Sequence, residues 1–305
     1  MRFGIDLGGT KIELVALDKA NQLVWRQRVA TPKQDYPATL AAMVDLVEQA
    51  QVQLNLSTPA SVGVGIPGAI SAKTGRVKNA NSTWLIGQDL QQDLEHRLAR
   101  PVRIANDANC FALSEARQGA AQGAQSVFGV ILGTGCGGGL VYRGEILSGV
   151  NAIGGEWGHN PMPWKNKHDA SVSCYCGQED CIETFLSGTG LADRYQRRYH
   201  QALSVEAIVE NMRKGEPAAV ELMMNYYDWL AKGLASVINV FDPEVIVLGG
   251  GLSQIDELYT LVPKRWSQWV FSDQVLTQLK PPMFGDSSGV IGAAWLWGEA
   301  QDVNV

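Results

Sequence analysis

The apolar run Phe3-Gly4-Ile5-Asp6-Leu7 enters the turn Gly8-Gly9-Thr10, and a second run from Ile12 to Leu17 leaves it. This is the pattern of a β-hairpin with a tight turn. The pattern returns about 125 residues later, where Phe128-Gly129-Val130-Ile131-Leu132 leads into Gly133-Thr134-Gly135 and a returning strand passes through Gly137, Gly138 and Gly139 to Tyr142. Self-similarity at that distance predicts duplicated architecture, two related domains each built round a strand–turn–strand unit. Leu40, Met43, Val44 and Val47 lie at helical spacing and predict a helix over 36–56; Leu90, Leu94 and Leu98 predict another over 89–100. Strands are predicted over 61–66 and 101–105. Past residue 183 the pattern is mostly helical: 184–199, 205–214, 217–241, 256–269 and an apolar terminal helix over 290–297. Asp242-Pro243 stops the third of these before a buried strand at Val245, which runs into Gly249-Gly250-Gly251.

Asp6 is a carboxylate in an otherwise apolar strand, and an ionised one there needs a cation, a hydrogen-bond network or water. Glycine turns expose amide groups that bind phosphate oxygens, so two such turns facing each other would grip one polyanion from both sides. Gly63-x-Gly65-x-x-Gly68 and Gly133-x-Gly135-x-x-Gly138 match a dinucleotide fingerprint in letters only. Pro67 interrupts the first, and a returning strand follows the second where a helix is required. Gly9-Thr10-Lys11 does not have the Walker order either. Asn106-Asp107-Ala108-Asn109 opens a helix after a short strand. Asp107 there is either an N-cap or a base held at a strand-to-helix junction.

At 305 residues the chain is long enough for two domains with substantial cores. Its net charge of −6 gives no electrostatic reason to expect nucleic acid as a partner. No apolar run has the length of a membrane span, and the chain enters a strand at once, so no membrane association and a cytoplasmic location are expected. Three of the five cysteines, Cys174, Cys176 and Cys181, crowd together, which in a reducing compartment reads as metal binding before disulfide. With His159 they would make a closed, tetrahedral and therefore structural zinc site. Cys110 and Cys136 lie apart and read as small buried hydrophobes.

Five ordered motifs now stand together: Asp6 to Lys11, Asn106 to Asn109, Gly133 to Gly135, Glu156-x-Gly158-His159, and the cysteine cluster running into Ile182-Glu183. Over nearly the whole chain they resemble the ROK family of repressors, open reading frames and kinases. The resemblance implies an α/β chain of the actin-like ATPase (ribonuclease H-like) fold, with two duplicated domains and a cleft between them. It implies a lobe of 1–117 plus 288–305 and a second lobe of 118–287 carrying the zinc motif. Within the family, 79–84, 158–164 and 285–289 look most like bacterial fructokinases of the manno(fructo)kinase type. The implied reaction is ATP-dependent phosphorylation of a free hexose at the 6-hydroxyl, D-fructose first, with glucose, mannose and N-acetylglucosamine as alternative acceptors. A sugar-responsive regulator is the alternative from another class. The repressor form needs a preceding helix-turn-helix where only Met1 stands, and a non-catalytic form would have no need of Asp107.

By resemblance Asp107 is the general base. Gly68, Asn81, Asn106, Glu156, His159 and Glu183 join it at the sugar, with His159 binding zinc through one ring nitrogen and the sugar through the other. Gly4, Asp6, Gly8, Gly9, Thr10 and Lys11 are implied at ATP, Asp6 holding the Mg²⁺ shell through water. Gly133, Thr134, Gly135, Gly137, Gly138 and Gly139 would cradle phosphates, and Gly249 and Gly250 would lie by the nucleoside. A homodimer is also implied. Asp180 replaces the family's second glycine between the cysteines, a substitution that suits a position with φ > 0.

Overall fold

The computed structural model describes residues 1–298. In chain order the first sheet uses β1 (Arg2–Leu7), β2 (Lys11–Leu17), β3 (Leu23–Ala30) and β4 (Ser61–Ile66). After a ribbon of β5 (Ala69–Ile70) and β6 (Val77–Lys78) comes its last strand, β7 (Val102–Asn106). The order is β3-β2-β1-β4-β7. β1, β2 and β3 are antiparallel neighbours, while β1, β4 and β7 run parallel. The second sheet takes β8 (Ser126–Leu132), β9 (Cys136–Tyr142), β10 (Glu145–Ile146), β11 (Val245–Gly249) and β12 (Gln278–Lys280) in the order β10-β9-β8-β11-β12. Strand for strand, and in the sense of each pairing, this repeats the first sheet. The two glycine hairpins, β1–β2 and β8–β9, occupy equivalent central places in the two domains.

Helices α1 (Tyr36–Gln53) and α2 (Leu90–Leu98) complete the first core. The predicted stripe of Leu40, Met43, Val44 and Val47 is buried, and Asp35 caps α1 by accepting from Ala38 N at 3.0 Å. After α3 (Asp107–Arg117), the predicted helix over 184–199 is two: α4 (Glu183–Leu186) and α5 (Gly188–Tyr199). Ser187 divides them because its hydroxyl caps α5, accepting from Gly190 N at 3.0 Å. Helices α6 (Val205–Arg213) and α7 (Pro217–Phe241) follow as predicted. The predicted helix over 256–269 is reduced to α8 (Leu258–Leu261) and α9 (Pro263–Trp266), since Pro263 lacks the donor that would continue it. The terminal helix α10 spans Ser288–Trp295; residues 299–305 of the lobe expected over 288–305 lie outside the described residues.

A third core lies between the sheets, built from α3, α10 and inward residues of both: Phe111, Leu113, Val127, Val141, Val247, Ile291 and Trp295 among them. α10 packs on α3, β1 and β4, while α3 also packs on β8 and β9. The approach is close enough to require glycine. A Cβ on Gly292 would stand 1.7 Å from Cys110 O, and one on Gly4 would stand 2.1 Å from Val290 O. Gly4, implied at ATP by resemblance, is therefore a seat for α10. Glu115, fully buried, ties the entry to α10 back to α3: it accepts from Met283 N at 3.1 Å and from the Ser288 hydroxyl at 2.8 Å. Among the described residues no helix is long and apolar enough to cross a membrane.

Candidate active site

Because β1, β4 and β7 run parallel, Leu7, Ile66 and Asn106 finish on one edge of the first sheet, where open α/β sheets collect ligands. Asp6 stands there between Glu13 of β2 and Gly65 of β4. Asp107 is the first residue of α3. Both line a cavity of about 450 Å³ with Gly8, Gly9, Thr10, Lys33, Pro67, Asn81, Ser82 and Trp84. The N-cap of α3 is Asn106: its Oδ1 accepts from Ala108 N at 2.9 Å and its Nδ2 donates to Gly68 O at 3.1 Å. Capping thus belongs to the neighbour, although Asp107 Oδ1 also accepts from Ala108 N at 2.8 Å.

Burial pushes the Asp6 carboxyl up to about 6, with the charges of Asp107 and Glu13 adding to it and Lys11 and Arg28 opposing. Burial also pushes Asp107 up to about 6; the Ala108 N–H works against the rise and the Glu156 charge adds to it. Two buried carboxylates of raised pKa lining one cavity mark a place suited to a cation or to proton transfer. Glu13 is itself buried and is held by Arg26 and, at 2.8 Å, by Arg28 of β3.

The first glycine turn closes through Gly8 N to Lys11 O at 3.0 Å and is braced by the Thr31 hydroxyl, which donates to Gly8 O at 2.8 Å. The second closes through Gly133 N to Gly135 O at 3.0 Å and is braced by the start of α5. Gly188 N donates to Gly133 O at 2.7 Å, and the Thr189 hydroxyl donates to Thr134 O at 2.9 Å. Glu183, implied at the sugar, commits one oxygen to this turn by accepting from Cys136 N at 2.8 Å. A second cavity of about 610 Å³ opens beside the turn, with Val205, Val209, Leu252 and Ile255 as apolar walls and Gly133, Thr134, Gly188, Thr189 and Gly251 along its floor.

The fold shows where two further sets of implied glycines sit. Gly137, Gly138 and Gly139 are part of β9, paired with Ile131, Val130 and Gly129, and their open faces meet protein. A Cβ on Gly139 would stand 2.5 Å from Ala108 O, and one on Gly138 would stand 2.7 Å from Gly155 O. Their small size serves packing of the sheet on α3 and on the chain before His159, which leaves only Gly133, Thr134 and Gly135 in the turn. Gly249 and Gly250 do not line the second cavity either; Gly249 abuts the Phe111 ring and Gly250 abuts Leu132 O, while Gly251 faces the opening.

His159, Cys174, Cys176 and Cys181 converge, their ligand atoms all within 4.8 Å of one another. Cys176 Sγ lies 3.6 Å from Cys181 Sγ, and Cys174 Sγ lies 3.7 Å from His159 Nδ1. Zinc–ligand bonds of about 2.3 Å place tetrahedral ligand atoms about 3.8 Å apart, so these two separations match those of a tetrahedral zinc site. Burial pushes Cys181 up to about 12, while the backbone amide of Gln178 draws Cys176 down to about 7. Asp180 has φ +58°, the conformation expected of a position that takes glycine, and its carboxylate accepts from Val172 N at 3.0 Å and the Ser171 hydroxyl at 2.9 Å.

A family model described as the ROK family matches residues 2–300. The chain belongs to the ROK family. Among its relatives, the N-acetyl-D-glucosamine kinase of Pectobacterium atrosepticum is 41% identical over 97% of this chain and 98% of the relative. That of Yersinia pseudotuberculosis is 42% identical over 97% and 98%. Among solved structures, the ROK hexokinase from Thermus thermophilus superposes with a TM-score of 0.86 at 29% identity, covering 97% of each chain. A ROK family glucokinase from Streptomyces griseus, in complex with glucose and AMPPNP, superposes at 0.75 with 28% identity, over 97% of this chain and 98% of that one. The two-domain α/β fold expected from the motifs is the ROK fold.

In this ROK chain several cavity residues went unread in the sequence. Lys33 sits in the loop after β3, and Gly188 and Thr189 begin a helix, with no local pattern to set them apart. Glu13 had a signal, a charge between Ile12 and Leu14 in an apolar strand, directly opposite Asp6.

Proposed function

We propose that the chain transfers the γ-phosphoryl group of ATP to the 6-hydroxyl of a free hexose. The observation that carries this reading is Asp107, a buried carboxylate of raised pKa at the mouth of α3, with Asp6 and the first glycine turn lining the same cavity. Asp107 takes the proton from the attacking hydroxyl. Because phosphoryl transfer is largely dissociative, its placement and charge matter more than its strength as a base. Asp6 would hold Mg²⁺ through its water shell, and the ion would neutralise charge on the phosphates. The turns at Gly8–Lys11 and Gly133–Gly135 cradle the phosphates, and the 610 Å³ cavity takes the nucleoside. Gly68, Asn81, Asn106, Glu156, His159 and Glu183 receive the hexose, and a zinc ion held by His159, Cys174, Cys176 and Cys181 would orient the His159 ring. The names of the ROK relatives and the glucokinase's bound glucose and AMPPNP support this reading.

The acceptor the relatives favour is N-acetyl-D-glucosamine, ahead of the D-fructose expected from the sequence. Fructose stays as the second reading on one observation, the spelling of 79–84, 158–164 and 285–289. An ADP-release assay over N-acetylglucosamine, fructose, mannose and glucose tests both. Highest kcat/KM with N-acetylglucosamine supports the first acceptor, highest with fructose the second, and no ADP release with any hexose overturns the kinase reading.

A further inference from the structure

His159 turns Nδ1 toward Cys174 and so presents its other nitrogen, Nε2, away from the thiols. A ring that ligates a metal through Nδ1 carries its proton on Nε2, which is the nitrogen left to donate to a sugar hydroxyl. That nitrogen already has a partner, for the hydroxyl of Tyr175 lies 3.1 Å from it. The two rings meet edge to face with centroids 5.3 Å apart. Tyr175 is carried on the loop between Cys174 and Cys176 and is 77% exposed, so little packing holds it in place. It also lies within reach of the charges of Glu183 and Glu156, two of the carboxylates assigned above to the hexose.

We propose that Tyr175 is a built-in occupant of the sugar subsite: its hydroxyl holds His159 Nε2 until a hexose hydroxyl displaces it. This rests on the kinase reading, and in particular on His159 meeting the sugar. A tyrosine 77% exposed, held to His159 by a hydrogen bond and a ring edge, can leave without disturbing a core. Its phenol competes with the sugar for a single donor, so it sets the affinity threshold of the site. Exchanging one hydrogen bond for another leaves little net gain, and a sugar must recover the rest from Asn81, Asn106 and Glu156.

The test is Tyr175→Phe in the full zinc-loaded chain, with zinc content measured by elemental analysis and Kd by calorimetry for N-acetylglucosamine and for fructose. Removing the competitor is expected to tighten the binding of whichever sugar the wild type binds by about three- to tenfold, with the change falling in KM rather than kcat. Tyr175→Leu, which also lacks the hydroxyl, is expected to tighten it too. Unchanged or weaker binding with full zinc overturns the proposal while leaving the kinase reading intact. A Tyr175→Phe protein short of zinc also overturns it, because Tyr175 would then be shaping the ligand cluster. A wild-type chain that binds neither sugar overturns both.

Discussion

Asp107 combines two properties that pull against each other. Burial raises its pKa from the ordinary 3.8 to about 6, so the folded chain holds a proton there more tightly than the unfolded chain does. Stability therefore falls as pH rises from about 4 to about 6 and stays reduced above that. Asp107→Asn is expected to raise the melting temperature at pH 7.5, with the gain disappearing near pH 4; calorimetry at the two pH values checks it. The same variant should lose about a hundredfold or more of its turnover while still binding sugar, measured by steady-state kinetics and calorimetry. The acid limb of the kcat/KM profile should fall below about pH 6, where the base is protonated. Asn106-Asp107 at a strand-to-helix junction left cap and base open for this residue, and the base role came from the ROK resemblance. That Asn106 takes the cap was not legible there, since either side chain suits the position and only the bond to Gly68 O decides between them.

At the scale of elements, the inserted helix α10 is the sensitive part. Its Gly292 faces Cys110 of α3 so closely that a methyl group has no room. Gly292→Ala is expected to cost about 1–3 kcal/mol by forcing the two helices apart, read as a lower urea midpoint with an unchanged slope. Such overpacking should also lower activity, because α3 carries Asp107 at its mouth. The apolar letters of 290–297 announced a buried helix but not what it lies against, which depends on the chain returning from the second sheet to the first. β3 had no comparable signal: it is an edge strand whose exposure alternates from Val24 to Ala30, but its exposed side carries Val24 beside the arginines and its half-buried side carries Gln27, so polarity does not mark the faces. Its value is in Arg26 and Arg28, which balance Glu13 beneath Asp6.

For the whole molecule, two expectations concern how the parts hold together. Elemental analysis should find about one zinc per chain, and chelation should lower the melting temperature and the turnover together, because the ion would tie the His159 ring to the three thiols of the 174–181 loop. An unchanged melting temperature after chelation would separate the cluster from folding. The two domains already touch where Lys78 of β6 donates to Asn151 O, in the loop after β10, at 3.1 Å. Sugar binding should draw them closer and exclude water from the phosphoryl group, seen as a smaller radius of gyration in solution scattering.

The amino-acid order by itself determined the duplicated hairpins, the helical stripes, the four metal-ligand candidates and the acids at strand ends. These are local matters of period, turn chemistry and residue type. Which glycines let two backbones meet was decided only in three dimensions, as Gly4, Gly138 and Gly139 demonstrate. A missing side chain reads the same on the page whether the space it leaves is filled by a phosphate or by a neighbouring carbonyl. Only the packed fold says which of the two stands there.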